Sequence, residues 1–155
     1  MMTLEELSAR EEIRQLRIDY STFFDSKDEA AIRSRFIPDI VCHYPESYGG
    51  SYEGVDAVIG LFRATWANLK NPFEVLHLTS NHHIELTGPD KATGHCMLLD
   101  LINQQEEGVP HATRGGHANP LLLIGRYEDE YVKRDGRWLF SQIKLSALWP
   151  DWQVT

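Results

Sequence analysis

The chain has 155 residues, 42% of them hydrophobic and 25% charged, and a net charge of −8. That length and balance describe one globular domain, residues 1–155, able to bury its own core. The negative charge excludes a diffuse basic surface, so neither nucleic acid nor an anionic membrane is expected as a partner.

The N-terminal segment Met1–Arg10 is acidic and amphipathic. It lacks the basic start and apolar stretch of a signal peptide. The longest apolar run, Pro120–Ile124, is too short to span a bilayer. Cys42 and Cys96 show no motif spacing and read as reduced core residues. A cytoplasmic location follows as the expectation.

Thr3 followed by Glu6 forms a capping box, which predicts a helix from about Leu4. Ile13, Leu16, Tyr20, Phe23 and Phe24 recur at helical spacing and carry it to about Ser26. Asp28 then caps a short second helix running through Phe36, stopped by Pro38. Residues 39–44 read as a strand ended by Pro45, and Gly49-Gly50 as a turn. A third helix is expected from about Val55 to Leu69, with Val58, Ile59, Leu61, Phe62 and Trp66 on its apolar face. Beyond Pro72 the pattern changes to strands over 74–87, Lys91–Asn103, Leu121–Lys133 and Arg137–Trp149. Gly88-Pro89-Asp90 and Asp135-Gly136 supply turns, and residues 104–118 form a loop or hairpin end. Helices first and an antiparallel meander afterwards make an α+β plan, with helices covering one face of a sheet.

The segment 74–86 carries the first chemical signal. Leu76, Leu78, Ile84 and Leu86 share one parity; Val75, His77, Thr79, Asn81, His83 and Glu85 share the other. The polar side either faces water or lines a cavity that wants a few polar groups. Asp25 is the second signal. It closes the apolar segment Phe23-Phe24-Asp25 at a helix C-terminus, where the dipole disfavours an anion. It is either a solvated carboxylate or one compensated by a partner such as a histidine. If Asp25 meets His77, the carboxylate fixes the tautomer and stabilises the imidazolium, leaving the other ring nitrogen free to take a proton from carbon. Tyr44, at the end of the first strand, is either a core tyrosine or a hydrogen-bond donor to a developing oxyanion or leaving hydroxyl.

The remaining polar residues suggest less. His82 and His83 are adjacent and point oppositely on a strand; His111, Arg114 and His117 lie in a polar loop; no His-x-His or Cys-x-x-Cys pair occurs. No metal site, phosphate loop, nucleophile elbow or dinucleotide fingerprint is expected. Arg126, Glu128 and Glu130 share one face of the third strand of the meander, with Tyr127, Asp129 and Tyr131 on the other. Charges on both faces suggest an exposed or subunit-facing strand, with Arg126 and Lys144 each either a salt-bridge residue or a ligand of a substrate oxygen.

Four short segments, in this order, together resemble a SnoaL-like domain of the nuclear-transport-factor-2-like superfamily. They are Arg10-Glu11-Glu12-Ile13 leading to Tyr20, Phe24-Asp25-Ser26-Lys27-Asp28, His77-Leu78-Thr79-Ser80-Asn81, and Tyr127 through Tyr131 to Gly136-Arg137-Trp138. The resemblance covers almost the whole chain and implies a cone-shaped α+β barrel. Within the superfamily the chain is similar to scytalone dehydratases at Asp25, His77 and Tyr44, which stands 19 residues beyond Asp25. It departs from them in having Phe24 for a tyrosine, and an apolar residue near Leu101 or Ile102 for a second histidine. It is similar to hexachlorocyclohexane dehydrochlorinases at the Asp25–His77 dyad, as bile-acid dehydratases also are.

The resemblance implies a cofactor-independent lyase, dehydratase-like, with His77 as base, Asp25 as its orienter and Tyr44 as donor. Substrate-binding side chains are expected at Tyr20, Phe23, Phe24, Trp66 and Asn81. It also implies a small cyclic or polyketide-like substrate and a homo-oligomer, trimer or dimer. A cyclase or ketosteroid-type isomerase, and a non-catalytic small-molecule-binding domain, use the same scaffold.

Overall fold

The computed structural model describes residues 1–67, 69, 75–102 and 121–149. Helix α1 spans Leu4–Asp25 and starts at the expected capping box: the Thr3 hydroxyl accepts the Glu6 N–H at 3.1 Å, and the Glu6 carboxylate accepts the Thr3 N–H at 2.7 Å. Its buried stripe contains Ile13, Leu16, Arg17, Tyr20 and Phe24. Its end is fixed as firmly as its start. Lys27 adopts a left-handed conformation (φ 57°), the Asp28 N–H reaches the Phe23 carbonyl at 2.8 Å, and the Lys27 N–H reaches that of Phe24 at 3.0 Å. These two bonds form a Schellman motif. Asp28 then caps α2, Glu29–Arg33, by accepting the Ala31 N–H at 3.0 Å. Asp25 therefore sits in a locked last turn.

Helix α2 stops at Arg33, short of the expected Phe36, and strand β1 already begins at Phe36 and runs to His43. Phe36 and Ile37 are core residues, and Phe36 pairs with Phe140. Pro38 does not block the strand, because it falls where the register with the neighbour shifts between Phe36 and Val41. The short strand β2, Ser51–Glu53, lies beyond the Gly49-Gly50 turn and was not expected. Helix α3 covers Val55–Ala67. Strands β3 (Val75–Gly88), β4 (Lys91–Ile102), β5 (Leu121–Arg134) and β6 (Arg137–Trp149) form the expected meander.

The six strands form one mixed sheet in the order β2-β1-β6-β5-β4-β3, with β1 parallel to β6 and the other neighbours antiparallel. Among the described residues the expected barrel is not closed: β2 and β3 stand at the two edges of the sheet. Helix α1 lies along edge β3 and occupies two of its backbone groups. The Arg10 guanidinium donates to the Ile84 carbonyl, and the Asp25 carboxylate accepts the His77 N–H at 2.9 Å.

The single parity assumed for β3 is broken. Val75, His77 and Thr79 turn inward, whereas Leu76 and Leu78 are exposed. The pairing with β4 slips between Ser80 and His83, at Asn81 with φ 54°, and beyond it Ile84 turns inward. An inserted residue shifts the side-chain alternation by one. The polar side of the first half is therefore a cavity wall and not a wet face.

Strand β5 also corrects its reading. Tyr127, Asp129 and Tyr131 are buried. Asp129 accepts from Arg17 Nη2 at 2.6 Å, Arg17 Nε at 3.1 Å and Tyr131 at 2.9 Å. The Arg17 guanidinium lies 4.0 to 4.6 Å from the ring centroids of Tyr20, Tyr127 and Phe140. Lys144 pairs with Glu128 at 3.2 Å, as a salt-bridge residue should. Cys42 and Cys96 are free and buried, and burial pushes their thiols up to about 12 and about 11. Among the described residues no helix is long and apolar enough to cross a membrane.

Candidate active site

A cavity of about 330 Å³ lies between α1, α3 and the inner face of the sheet. That is the size of a site for a small ring compound. His77 and Asp100 form its polar wall, with Tyr20, Phe24, Tyr44 and Tyr127 beside them. Tyr48, from the connection that leads into β2, and Tyr52, within β2, also line it. Gly49 permits this packing: a Cβ there would stand 2.1 Å from the Tyr52 hydroxyl, and its φ of +91° suits glycine.

His77 is held on three sides. Its Nδ1 meets Asp25 Oδ1 at 2.6 Å, while Asp25 Oδ2 takes the backbone N–H of the same residue at 2.9 Å. The ring of Phe24 stands edge-on at 4.9 Å between centroids, and Tyr20 at 6.3 Å. With Asp25 as acceptor, Nδ1 carries the hydrogen and Nε2 presents a lone pair. This also resolves the oddity of a carboxylate at a helix C-terminus. Two hydrogen bonds to a charged acceptor, each worth about 1.5–3 kcal/mol, outweigh a dipole penalty of about 0.3–1 kcal/mol.

Asp100 faces His77 directly across the β3–β4 ladder, its Oδ1 3.8 Å from Nε2. That separation is too long for a hydrogen bond, and Asp100 Oδ1 is buried without a hydrogen-bond partner among the described residues. Burial opposes the imidazolium of His77, but Asp100 and Asp25 together hold it above the ordinary histidine value. Burial likewise raises the Asp100 carboxyl, and Asp25 adds to it, against the pull of His77. Both shifts have one source: two carboxylates and an imidazole share a dry site.

Tyr44 lines the cavity with its hydroxyl 3.4 Å from that of Tyr20, and burial keeps both phenols protonated. Of the expected site residues, then, Asp25, His77, Tyr44, Tyr20 and Phe24 come together. Three do not reach the cavity. Phe23 packs beneath the Arg35 guanidinium at 5.2 Å, and Trp66 stands behind the wall against Phe24 at 5.4 Å. Asn81 is exposed on the β3 bulge, where the left-handed backbone turns it away. His111, Arg114 and His117 lie outside the described residues.

Asp100 escaped the sequence reading, which noted only an apolar residue near Leu101 or Ile102 in the place of a second histidine. The register pairs His77 with Asp100 instead. The available signal was a lone carboxylate in the apolar run Met97-Leu98-Leu99-Asp100-Leu101-Ile102.

The family model of the SnoaL-like domain matches residues 5–144. A gamma-hexachlorocyclohexane dehydrochlorinase of Sphingobium indicum is 26% identical over 143 residues, covering 92% of this chain and 82% of that protein. A crystal structure of a candidate scytalone dehydratase from Novosphingobium aromaticivorans superposes with a TM-score of 0.78 at 22% identity, over 94% of this chain and 88% of the other. A type-3 hexachlorocyclohexane dehydrochlorinase from Novosphingobium barchaimii superposes with a TM-score of 0.76 at 24% identity, over 94% and 90% of the two chains. The solved structures share the nuclear-transport-factor-2-like fold, which this chain adopts with an open sheet.

Proposed function

The chain belongs to the SnoaL-like domain family, and from that premise and the Asp25–His77 pair we propose a cofactor-independent lyase of dehydratase type. The observation that carries the proposal is the 2.6 Å contact of Asp25 with His77 Nδ1 at the wall of a largely aromatic cavity. His77 Nε2 removes a proton from a carbon next to a carbonyl. Asp25 orients the ring and stabilises the imidazolium as it forms. The Tyr44 hydroxyl, backed by Tyr20, donates to the carbonyl oxygen as its charge grows. Loss of a group from the β-carbon completes the elimination. The relatives named dehydrochlorinases support proton abstraction with elimination as the shared chemistry.

The same reading includes a homo-oligomer in the cytoplasm. Two unpaired thiols suit a reducing compartment, and an apolar row on the outer sheet face suits a second copy.

The test is a screen of hydroxylated aromatic, steroid and polyketide compounds for loss of water by mass spectrometry, with wild type and His77→Ala side by side. His77→Ala should lose at least about 100-fold in turnover while keeping its fold by circular dichroism. Turnover undiminished in that variant would remove His77 from the mechanism.

A further inference from the structure

Elimination of an alcohol and elimination of a halide place different demands on a site. Halide leaves as a stable anion and needs no proton. Hydroxide is a poor leaving group, and an alcohol leaves readily only when an acid protonates its oxygen in the same step. A site for alcohols therefore needs an acid within reach of the base. A site for halides needs none, and a carboxylate beside the departing anion hinders it.

We propose that Asp100 is the catalytic acid that protonates a departing hydroxyl group, so that the cavity accepts neutral ring compounds with a β-hydroxy carbonyl unit and releases water in preference to halide. This rests on His77 being the base. The geometry carries it. Asp100 lines the cavity, its Oδ1 is buried without a hydrogen-bond partner among the described residues, and it stands 3.8 Å from His77 Nε2. Among the described residues that line the cavity there is no lysine or arginine to receive an anion. A second buried carboxylate 3.8 Å from the base is what a halide-releasing site has no use for.

The proton count closes. With Asp25 ionised, a neutral His77 beside a protonated Asp100 has the same charge as an imidazolium beside an ionised Asp100. The two are tautomers of one protonation state. Burial of Asp100 and the nearby Asp25 carboxylate favour keeping that one proton in the cluster. In the reactive tautomer, Nε2 takes the α-proton, and the C–H electron pair becomes the new π bond. The β-carbon–oxygen bond breaks toward oxygen, which receives the Asp100 proton and leaves as water. Transfer of the proton from Nε2 back to Asp100 restores the starting state. Since acid and base share one wall, hydrogen and hydroxyl depart from the same face of the ring.

The groups facing the pair set its pH response. Asp25 approaches from α1, and the buried Arg17 of the same helix opposes the imidazolium. Tyr20, Tyr44, Tyr48 and Tyr127 complete the surroundings, and burial keeps all four phenols protonated. Alcohol turnover is therefore bell-shaped in pH, its alkaline limb marking loss of the shared proton.

The experiment uses 3-hydroxycyclohexanone and 3-acetoxycyclohexanone, which give the same enone, with wild type, Asp100→Asn and His77→Ala. Acetate needs no protonation to leave. Asp100→Asn should lose on the order of 100-fold or more on the alcohol and only a few-fold on the acetate, with the alkaline limb gone. His77→Ala should lose both. Equal losses on both compounds in Asp100→Asn overturn the acid role and leave the base in place. Undiminished rates in His77→Ala overturn the base itself. A carbon-13 titration of labelled aspartate carboxyls, assigned by the Asp100→Asn spectrum, decides independently of turnover. An Asp100 carboxyl ionised at pH 7 beside a His77 ring that nitrogen-15 shifts show to be neutral, both free and saturated with 3-hydroxycyclohexanone, means that the pair holds no shared proton and overturns the proposal.

Discussion

At the scale of single residues, the protein places one imidazole between two carboxylates. Asp25 touches Nδ1 and Asp100 faces Nε2. This arrangement makes stability depend on pH in a stated direction. The folded-state value of His77 is raised, so the folded cluster holds a proton that the unfolded chain releases near the ordinary value of about 6.5. The stability supplied by that proton is complete below about pH 6.5. It is lost as pH rises through the folded value, at no more than about 1.4 kcal/mol per pH unit. Asp100→Asn removes the larger of the two Coulombic supports for the imidazolium. Its alkaline loss of stability should be shallower than that of wild type in thermal melts between pH 6 and 9. Parallel curves for the two proteins would contradict the coupling. The Asp25–His77 contact, 52 residues apart in sequence, was legible as one of two readings of a carboxylate at a helix C-terminus, and family resemblance pointed to the pair. Asp100 showed only as a lone carboxylate in an apolar run, because its place opposite His77 depends on strand register.

At the scale of elements, α1 and β5 exchange their most expensive groups. Arg17 falls on the stripe of Ile13, Tyr20 and Phe24, a position that sequence spacing gives to an apolar residue, and Asp129 neutralises it. Replacing Arg17 by Met leaves Asp129 buried and unpaired and should cost about 3–5 kcal/mol. The double replacement Arg17→Met, Asp129→Leu should recover most of that, as measured by urea denaturation. A double variant no more stable than the single one would mean that the pair does more than cancel charge. Helix limits and the Asp135-Gly136 turn were readable because caps and turns act over three or four residues. The face of β3 was not, since a one-residue bulge at Asn81 reverses the parity on which the reading stood. Helix α2 was overextended for a similar reason: Phe36 and Ile37 suit an apolar helix face and an apolar strand equally, and packing beside Phe140 decides.

At the scale of the whole molecule, the two faces of the sheet differ. The inner face holds the cavity. On the outer face Leu78, Leu99, Ile124 and Trp149 stand side by side across β3, β4, β5 and β6. Leu78 is 53% exposed and Trp149 44%. Such a row is suited to an identical copy, since a patch facing its own image matches by symmetry. Leu78→Glu should lower the mass seen by sedimentation or light scattering to that of one chain, with the cavity intact. An unchanged mass would mean that this row makes no contact between copies.

The edge position of β3 carries one further consequence. Asp25 answers both the ring and the backbone N–H of His77, and so helps, with Arg10, to cover a strand that could otherwise recruit another chain. The sheet edge therefore has a use for this carboxylate that does not depend on the ring it touches. Its bond to that edge is made with a backbone N–H, so Asp25→Ala should uncover a strand edge that His77→Ala leaves covered.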